Sequence, residues 1–341
     1  MSSQRPRLVD VAKYAGVSVQ TVSNVLNYRF GEVGPATRDR VEDAMRHLGY
    51  VPNVQARSLR SHRTNTLAFL LLDPDPKYLA DPMTDLIISG VGAVARERGY
   101  MVLVHASPPS SVDTGLLLPI HQNRADGALL LLSGEPVLRK AYVDQIKAIT
   151  TRFVVFEDIH DTDVDTVTAN NRDGAYRMVH HLVEKGHRRI GFIGTGTPWP
   201  MVEQRYEGYL AALRDAGITY EPALSRFEGA WDAATGERLV GQLFNEFEPP
   251  TALMAGNDLI AIGAIKALKL RGVRVPEEFA VTGFDDFSFA EHVDPPLTTV
   301  RIPGFEMGYR AATKLIDSIE GTQTRPSADR LPVELMIRGS A

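Results

Sequence analysis

One short spacing limits what the start of this chain can fold into: small Ala12, then Gly16, then apolar Val22. Leu8 to Ala15 carries apolar residues at helical intervals and predicts a short amphipathic helix. Gly16 ends it where φ > 0 is expected. Ser18 is a natural N-cap for a second helix beginning at Val19. Two helices joined by so tight a turn must cross closely, which calls for a small Ala12 at the crossing and for Val22 and Val25 packing back on the first helix. This is the helix-turn-helix spacing.

The second helix is expected to bury Val22, Val25 and Leu26, turning Val19, Gln20, Thr21, Ser23 and Asn24 outward. Gln and Asn amides make paired contacts to adenine, and a Val methyl can meet a thymine methyl. An ordinary polar helix face is the alternative for each residue alone. Gly34 at a cap, Pro35 in the first turn and a stripe of Val41, Ala44, Met45 and Leu48 predict a third helix closed by Gly49. Asn53 can cap a fourth, of a turn or two, too short to be stable by itself in water.

Charge separates this head from the rest of the chain. Residues 1–63 hold ten basic side chains against five acidic ones, a net +5 in a chain whose total is −5, leaving −10 for the remainder. A basic head on an acidic body suits a protein that offers one end to a polyanion.

Val9-Asp-Val-Ala-x2-Ala-Gly-Val-Ser-x2-Thr-Val-Ser23 resembles the head motif of the LacI/GalR repressor family. Thr37-Arg-x-Arg-Val41 and Gly49-Tyr-x-Pro-Asn-x3-Arg-Ser-Leu-Arg60 continue the resemblance, which runs from about Leu8 to the C-terminus. It implies base reading by Val19, Gln20 and Asn24 at the start of the second helix, although the family often has Arg where this chain has Asn24. It also implies a hinge helix over 53–61 that enters the minor groove through Asn53, Ala56, Arg57 and Leu59, with Leu59 wedging a base step. A homodimer on near-palindromic double-stranded operator DNA is implied by the same likeness. The expected division is a headpiece at 1–52, a hinge and linker at 53–63, and an effector-binding and dimerisation core at 64–341.

In that core, short apolar runs alternate with helical stretches: Leu67–Leu72, a helix near Thr84–Arg98, Met101–His105, Gly127–Leu132 and Phe153–Phe156. The rhythm restarts with helix Asp173–Lys185, strand Ile190–Ile193 and helix Tyr206–Ala216. It ends with strand Ala252–Ala255, helix Leu259–Arg271 and strand Phe279–Phe284. That pattern predicts two doubly wound parallel-sheet lobes, and the family resemblance implies an all-α head on an α/β core like that of the periplasmic binding proteins. The resemblance divides them at about 64–168 with 298–326, and 169–297 with 327–341.

Ligands of such folds sit beyond the carboxyl ends of strands, so the candidates are Asp73, Asp158, Arg205, Trp231, Asn257 and Asp285. Asp73 and Asp75 rank below the others. Carboxylates, an amide and a guanidinium around an indole suit a polyhydroxylated ligand such as a sugar, although a nucleobase would also stack. Arg205, Asn257 and Asp285 match effector-bonding positions of the family, and Trp231 and Asp158 match contacts of some members.

Other classes find little support. Gly191-Phe-Ile-Gly-Thr-Gly196 is not a dinucleotide fingerprint, because Pro198-Trp-Pro200 interrupts any helix there. His180 and His181 point to different faces, so no metal pair is expected, nor any cofactor. The chain has no cysteine and thus no thiol nucleophile. A doubly wound oxidoreductase and a stand-alone sugar-binding protein are the rivals. With no apolar segment after Met1–Arg7 and no run near the ~20 residues of a membrane span, a cytoplasmic location is expected. Without leucine heptads after Ile337, a dimer is the simplest assembly.

Overall fold

The computed structural model describes residues 6–26, 32–50, 63–75, 77–108, 115–157, 163–245, 248–323 and 325–341. The chain forms two compact units, Met1–Thr64 and Asn65–Ala341.

The first unit holds α1 (Leu8–Ala15), α2 (Val19–Leu26) and α3 (Pro35–Leu48). Gly16 adopts φ 62° and Gly49 φ 60°, each ending a helix in the left-handed region where a Cβ would be strained. The Ser18 hydroxyl accepts from the Thr21 backbone N–H at 3.0 Å, as an N-cap should. Val11, Ala12, Val22, Val25, Val41 and Ala44 form the core, and Tyr14 of α1 stacks on His47 of α3 at 4.8 Å. The expected hinge, with Asn53, Ala56, Arg57 and Leu59, lies outside the described residues.

In the second unit, β1 (Thr66–Leu72), β2 (Met101–Ser107), β3 (Gly127–Leu132), β4 (Phe153–Val155) and β5 (Asp165–Ala169) share one parallel sheet. It is wrapped by α4 (Pro82–Glu97), the short α5 (Leu118–His121) and α6 (Pro136–Ile149). Leu67, Phe69 and Leu71 of β1 enter one core, while Ala68, Leu70 and Leu72 enter the other, packed on Tyr142 and Ile146 of α6. Both faces are covered, so β1 reads as an unbroken apolar run rather than an alternation.

The second lobe repeats the scheme with α7 (Asn171–Glu184), β6 (Ile190–Gly194), α8 (Pro200–Asp215), β7 (Ser225–Phe227), α9 (Ala233–Leu243), β8 (Ala252–Ala255), α10 (Asp258–Leu270) and β9 (Ala280–Thr282). Its parallel strands lie in the order β7-β6-β8-β9. The chain then returns through β10 (Thr299–Arg301) to α11 (Gly304–Glu320), β11 (Ala328–Leu331) and β12 (Glu334–Met336).

Two expectations change. β11 does not join the second lobe: it pairs in parallel with β5, Ala328 to Leu331 against Thr166 to Ala169, and forms the edge of the first sheet. The second-lobe tail therefore starts at β12, which pairs with β10, not at residue 327. Short β11 carries only Leu331 inward, which leaves its sequence no strand-like signature. In addition, α8 begins at Pro200 rather than Tyr206, because proline suits a first helical turn, where its missing N–H has no partner to lose. Arg205 thus sits inside the helix rather than just ahead of it.

Candidate functional site

The second helix of the head presents less than its sequence suggests. Val19 is 44% exposed, with Gln20 exposed and Thr21 and Ser23 half-buried. Asn24 is buried, not outward. Its Nδ2 donates to Glu32 at 2.7 Å and its Oδ1 accepts from Gln20 at 2.9 Å. The carboxylate arriving just before α3 captures the amide, and Asn24 then orients Gln20.

In the larger unit, the two sheets point their carboxyl ends at one cleft with an empty volume of about 650 Å³ including its mouth. Its lining tracks the strand ends closely. Asp73 comes after β1, Phe156 after β4, Asn171 after β5, Trp199 and Arg205 after β6, Trp231 after β7, Asn257 after β8 and Asp285 after β9. Of the predicted effector residues the cleft gathers Asp73, Arg205, Trp231, Asn257 and Asp285. Asp158 lies outside the described residues. Asp75 is exposed and holds a local turn through the Lys77 backbone N–H.

Arg205 organises the second-lobe wall. Its Nη2 donates to Asp285 Oδ1 at 2.7 Å, Nε to Asn171 Oδ1 at 3.0 Å and Nη1 to the Gly256 carbonyl at 2.6 Å. The guanidinium carbon stands 3.9 Å above the Phe284 ring centroid. The remaining N–H donors of the fork, and Asp285 Oδ2, are what this pair can offer a ligand. Asp285 has φ 108°, a strained backbone for a non-glycine residue. Its N–H donates to the Val300 carbonyl at 2.7 Å, which ties the turn to the returning chain. Burial pushes its carboxyl up to about 7; Arg205 opposes the shift and Asp81 adds to it.

Asn257 is the N-cap of α10, its Oδ1 accepting from the Ile260 N–H at 2.8 Å, so its amide NH2 is the group left for a ligand. The first lobe contributes Asp73, pushed up to about 6 mainly by burial, and Asp81, raised by burial while it caps α4. Sequence reasoning misses Asp81, Asn171 and Trp199. Asp81 before Pro82 is a recognisable cap, and Trp199 stands out in sequence only as part of the Pro-Trp-Pro interruption. With Trp231, Trp199 puts both tryptophans of the chain on this cleft. Among the described residues no cluster of His, Asp or Glu is arranged to hold a metal ion.

Comparison with known proteins agrees with this geometry. Residues 7–53 match the model of the bacterial regulatory proteins of the lacI family, and residues 179–341 match that of a periplasmic binding protein-like domain. The HTH-type transcriptional repressor CytR of Escherichia coli (strain K12) is 33% identical over 336 residues, covering 97% of this chain and 95% of CytR. The HTH-type transcriptional regulator CelR of Thermobifida fusca is 35% identical over 346 residues, covering 99% and 98%. The structure of a CelR–cellobiose complex superposes with a TM-score of 0.73 at 33% identity, over 99% of this chain and 100% of that one. The Lac repressor dimer bound to operator and the anti-inducer ONPF gives 0.84 at 27% identity, over 99% of both. These relatives are regulators and not enzymes. The chain belongs to the lacI family of bacterial regulatory proteins and is a DNA-binding transcriptional regulator.

Proposed function

We propose that this regulator is a repressor that binds a near-palindromic operator as a cytoplasmic homodimer and is controlled by a neutral carbohydrate in the cleft. Val19, Gln20, Thr21 and Ser23 would read bases, with Asn24 setting the Gln20 amide, and a hinge at 53–63 would bring Asn53, Ala56, Arg57 and Leu59 to the minor groove. The observation that carries the effector reading is the bonded Arg205–Asp285 pair sharing one cleft with Asn257, Trp199 and Trp231. Fixed donors and acceptors match hydroxyls, and aromatic faces cover sugar C–H groups. Asp73, Asp81 and Asp285 outnumber Arg205 on the wall, which disfavours a phosphorylated or acidic sugar. The cellobiose bound to CelR has the same chemistry. The effector acts by its different affinity for two lobe arrangements, for which about 1–3 kcal/mol of coupling is enough.

Duplexes selected from a random pool by the full chain supply the operator probe. Cellobiose, other neutral sugars, sugar phosphates and nucleosides are then compared by thermal shift and by their effect on operator anisotropy. A neutral sugar should raise the melting temperature and change operator affinity, and Asp285→Asn should abolish both responses. Stabilisation by nucleosides alone overturns the carbohydrate assignment, and failure to select any duplex overturns the operator reading.

A further inference from the structure

Beside the cleft, a buried cation joins the two lobes. Arg139 of α6 is 2% exposed. Within its own lobe its Nε donates to both Glu157 carboxylate oxygens, at 3.0 and 3.1 Å, and Nη1 donates to the Gly134 carbonyl. Across the gap, Nη1 and Nη2 meet the two Glu203 oxygens of α8 at 3.1 and 2.8 Å. A backbone bond runs beside this fork, from Gly134 N–H to the Pro198 carbonyl at 2.8 Å.

Four of Arg139's neighbours in this cluster lie within three residues of a cleft residue in the chain. Glu157 comes just after Phe156, Pro198 precedes Trp199, Glu203 stands two residues before Arg205, and Gly134 lies three beyond Leu131. We infer that Arg139 is a positioning residue: it clasps the first lobe to α8 and so sets how far the cleft closes and where Trp199 and Arg205 stand.

The physics supports a clasp rather than a static core pair. Arg139 keeps Glu157 as a partner in its own lobe, so separating the lobes never strands a bare buried cation, which would be prohibitive. Opening breaks the Glu203 half of the fork and the Gly134–Pro198 bond, and the Glu203 carboxylate is 39% exposed and ready to be hydrated. Planar two-point pairing makes the closed geometry specific. The clasp needs no effector, so it stands or falls separately from the carbohydrate reading. Because apparent affinity scales with the fraction of molecules in the competent arrangement, the clasp also tunes effector response.

The test uses the full chain without ligand. The native sequence has no cysteine, so spin labels at Asp144→Cys and Glu207→Cys, both exposed and one on each side, report the distance between lobes. Emission of Trp199 and Trp231 reports cleft hydration. Glu203→Ala should lengthen and broaden the distance distribution and red-shift the emission, with the melting temperature nearly unchanged because Arg139 retains Glu157. Glu203→Gln should restore much of the native distribution. Arg139→Met should widen it at least as far as Glu203→Ala. Native distances and emission in Glu203→Ala overturn the inference, as does a fall in melting temperature without any widening.

Discussion

At the scale of single residues, the environment of a side chain decides its chemistry more than its type does. Asn24 looks like a base-reading amide in sequence, yet Glu32 holds it and it in turn holds Gln20. Asp73 is in sequence a lower-ranked cleft candidate after a strand, and burial in the cleft lifts its carboxyl to about 6. A carboxyl raised in the folded state binds its proton more tightly there than in the unfolded chain, where about 3.9 is normal. Its contribution to stability is therefore full only below about pH 3.9 and is lost as pH rises from there through 6. Asp73→Asn keeps the acceptor that the Asp75 N–H uses at 2.9 Å and removes the charge. Its melting temperature should equal wild type near pH 4 and exceed it at pH 7 to 8; a constant offset across that range would contradict the assignment.

At the scale of elements, glycines set how closely helices approach, and two helical glycines should respond with opposite signs. Gly236 of α9 and Gly263 of α10 let their helices touch backbone to backbone: a Cβ at Gly263 would lie 1.8 Å from the Ala233 carbonyl oxygen. Gly263→Ala must push the pair apart, at a cost of about 1–3 kcal/mol. At Gly92 of α4, a Cβ would meet nothing within 4 Å. Gly92→Ala should stabilise the core by roughly 0.5–1 kcal/mol, because alanine loses less backbone entropy in a helix. Urea unfolding of both variants measures the two signs side by side. Sequence alone could not separate them, since each glycine interrupts an amphipathic helix in the same way. The missed elements have a similar explanation: β5 and β11 carry few apolar residues in alternation, and they become strands by completing a sheet begun elsewhere.

At the scale of the whole molecule, the charge division is itself a prediction. Residues 1–63 carry +5 and the rest −10, so operator binding should weaken steeply with salt as released counterions lose their advantage. The logarithm of the association constant should fall linearly with the logarithm of salt concentration, with a slope of about −0.9 per phosphate contact. Cleft affinity for a neutral sugar should barely change over the same range. A flat salt profile for DNA would rule out phosphate contacts by the head. By itself the sequence determined the three head helices, the two-lobed parallel plan and five of the residues that line the cleft, Asp73, Arg205, Trp231, Asn257 and Asp285. Each of these rests on local rules: caps, periodicity and the ends of strands. Only the tertiary structure decided that β11 closes the first sheet, that Asn24 faces inward, that Trp199 and Asp81 join the cleft, and that Arg139 reaches Glu203. Those facts depend on which distant segments become neighbours once both faces of each sheet are covered, and no short window of sequence contains that information.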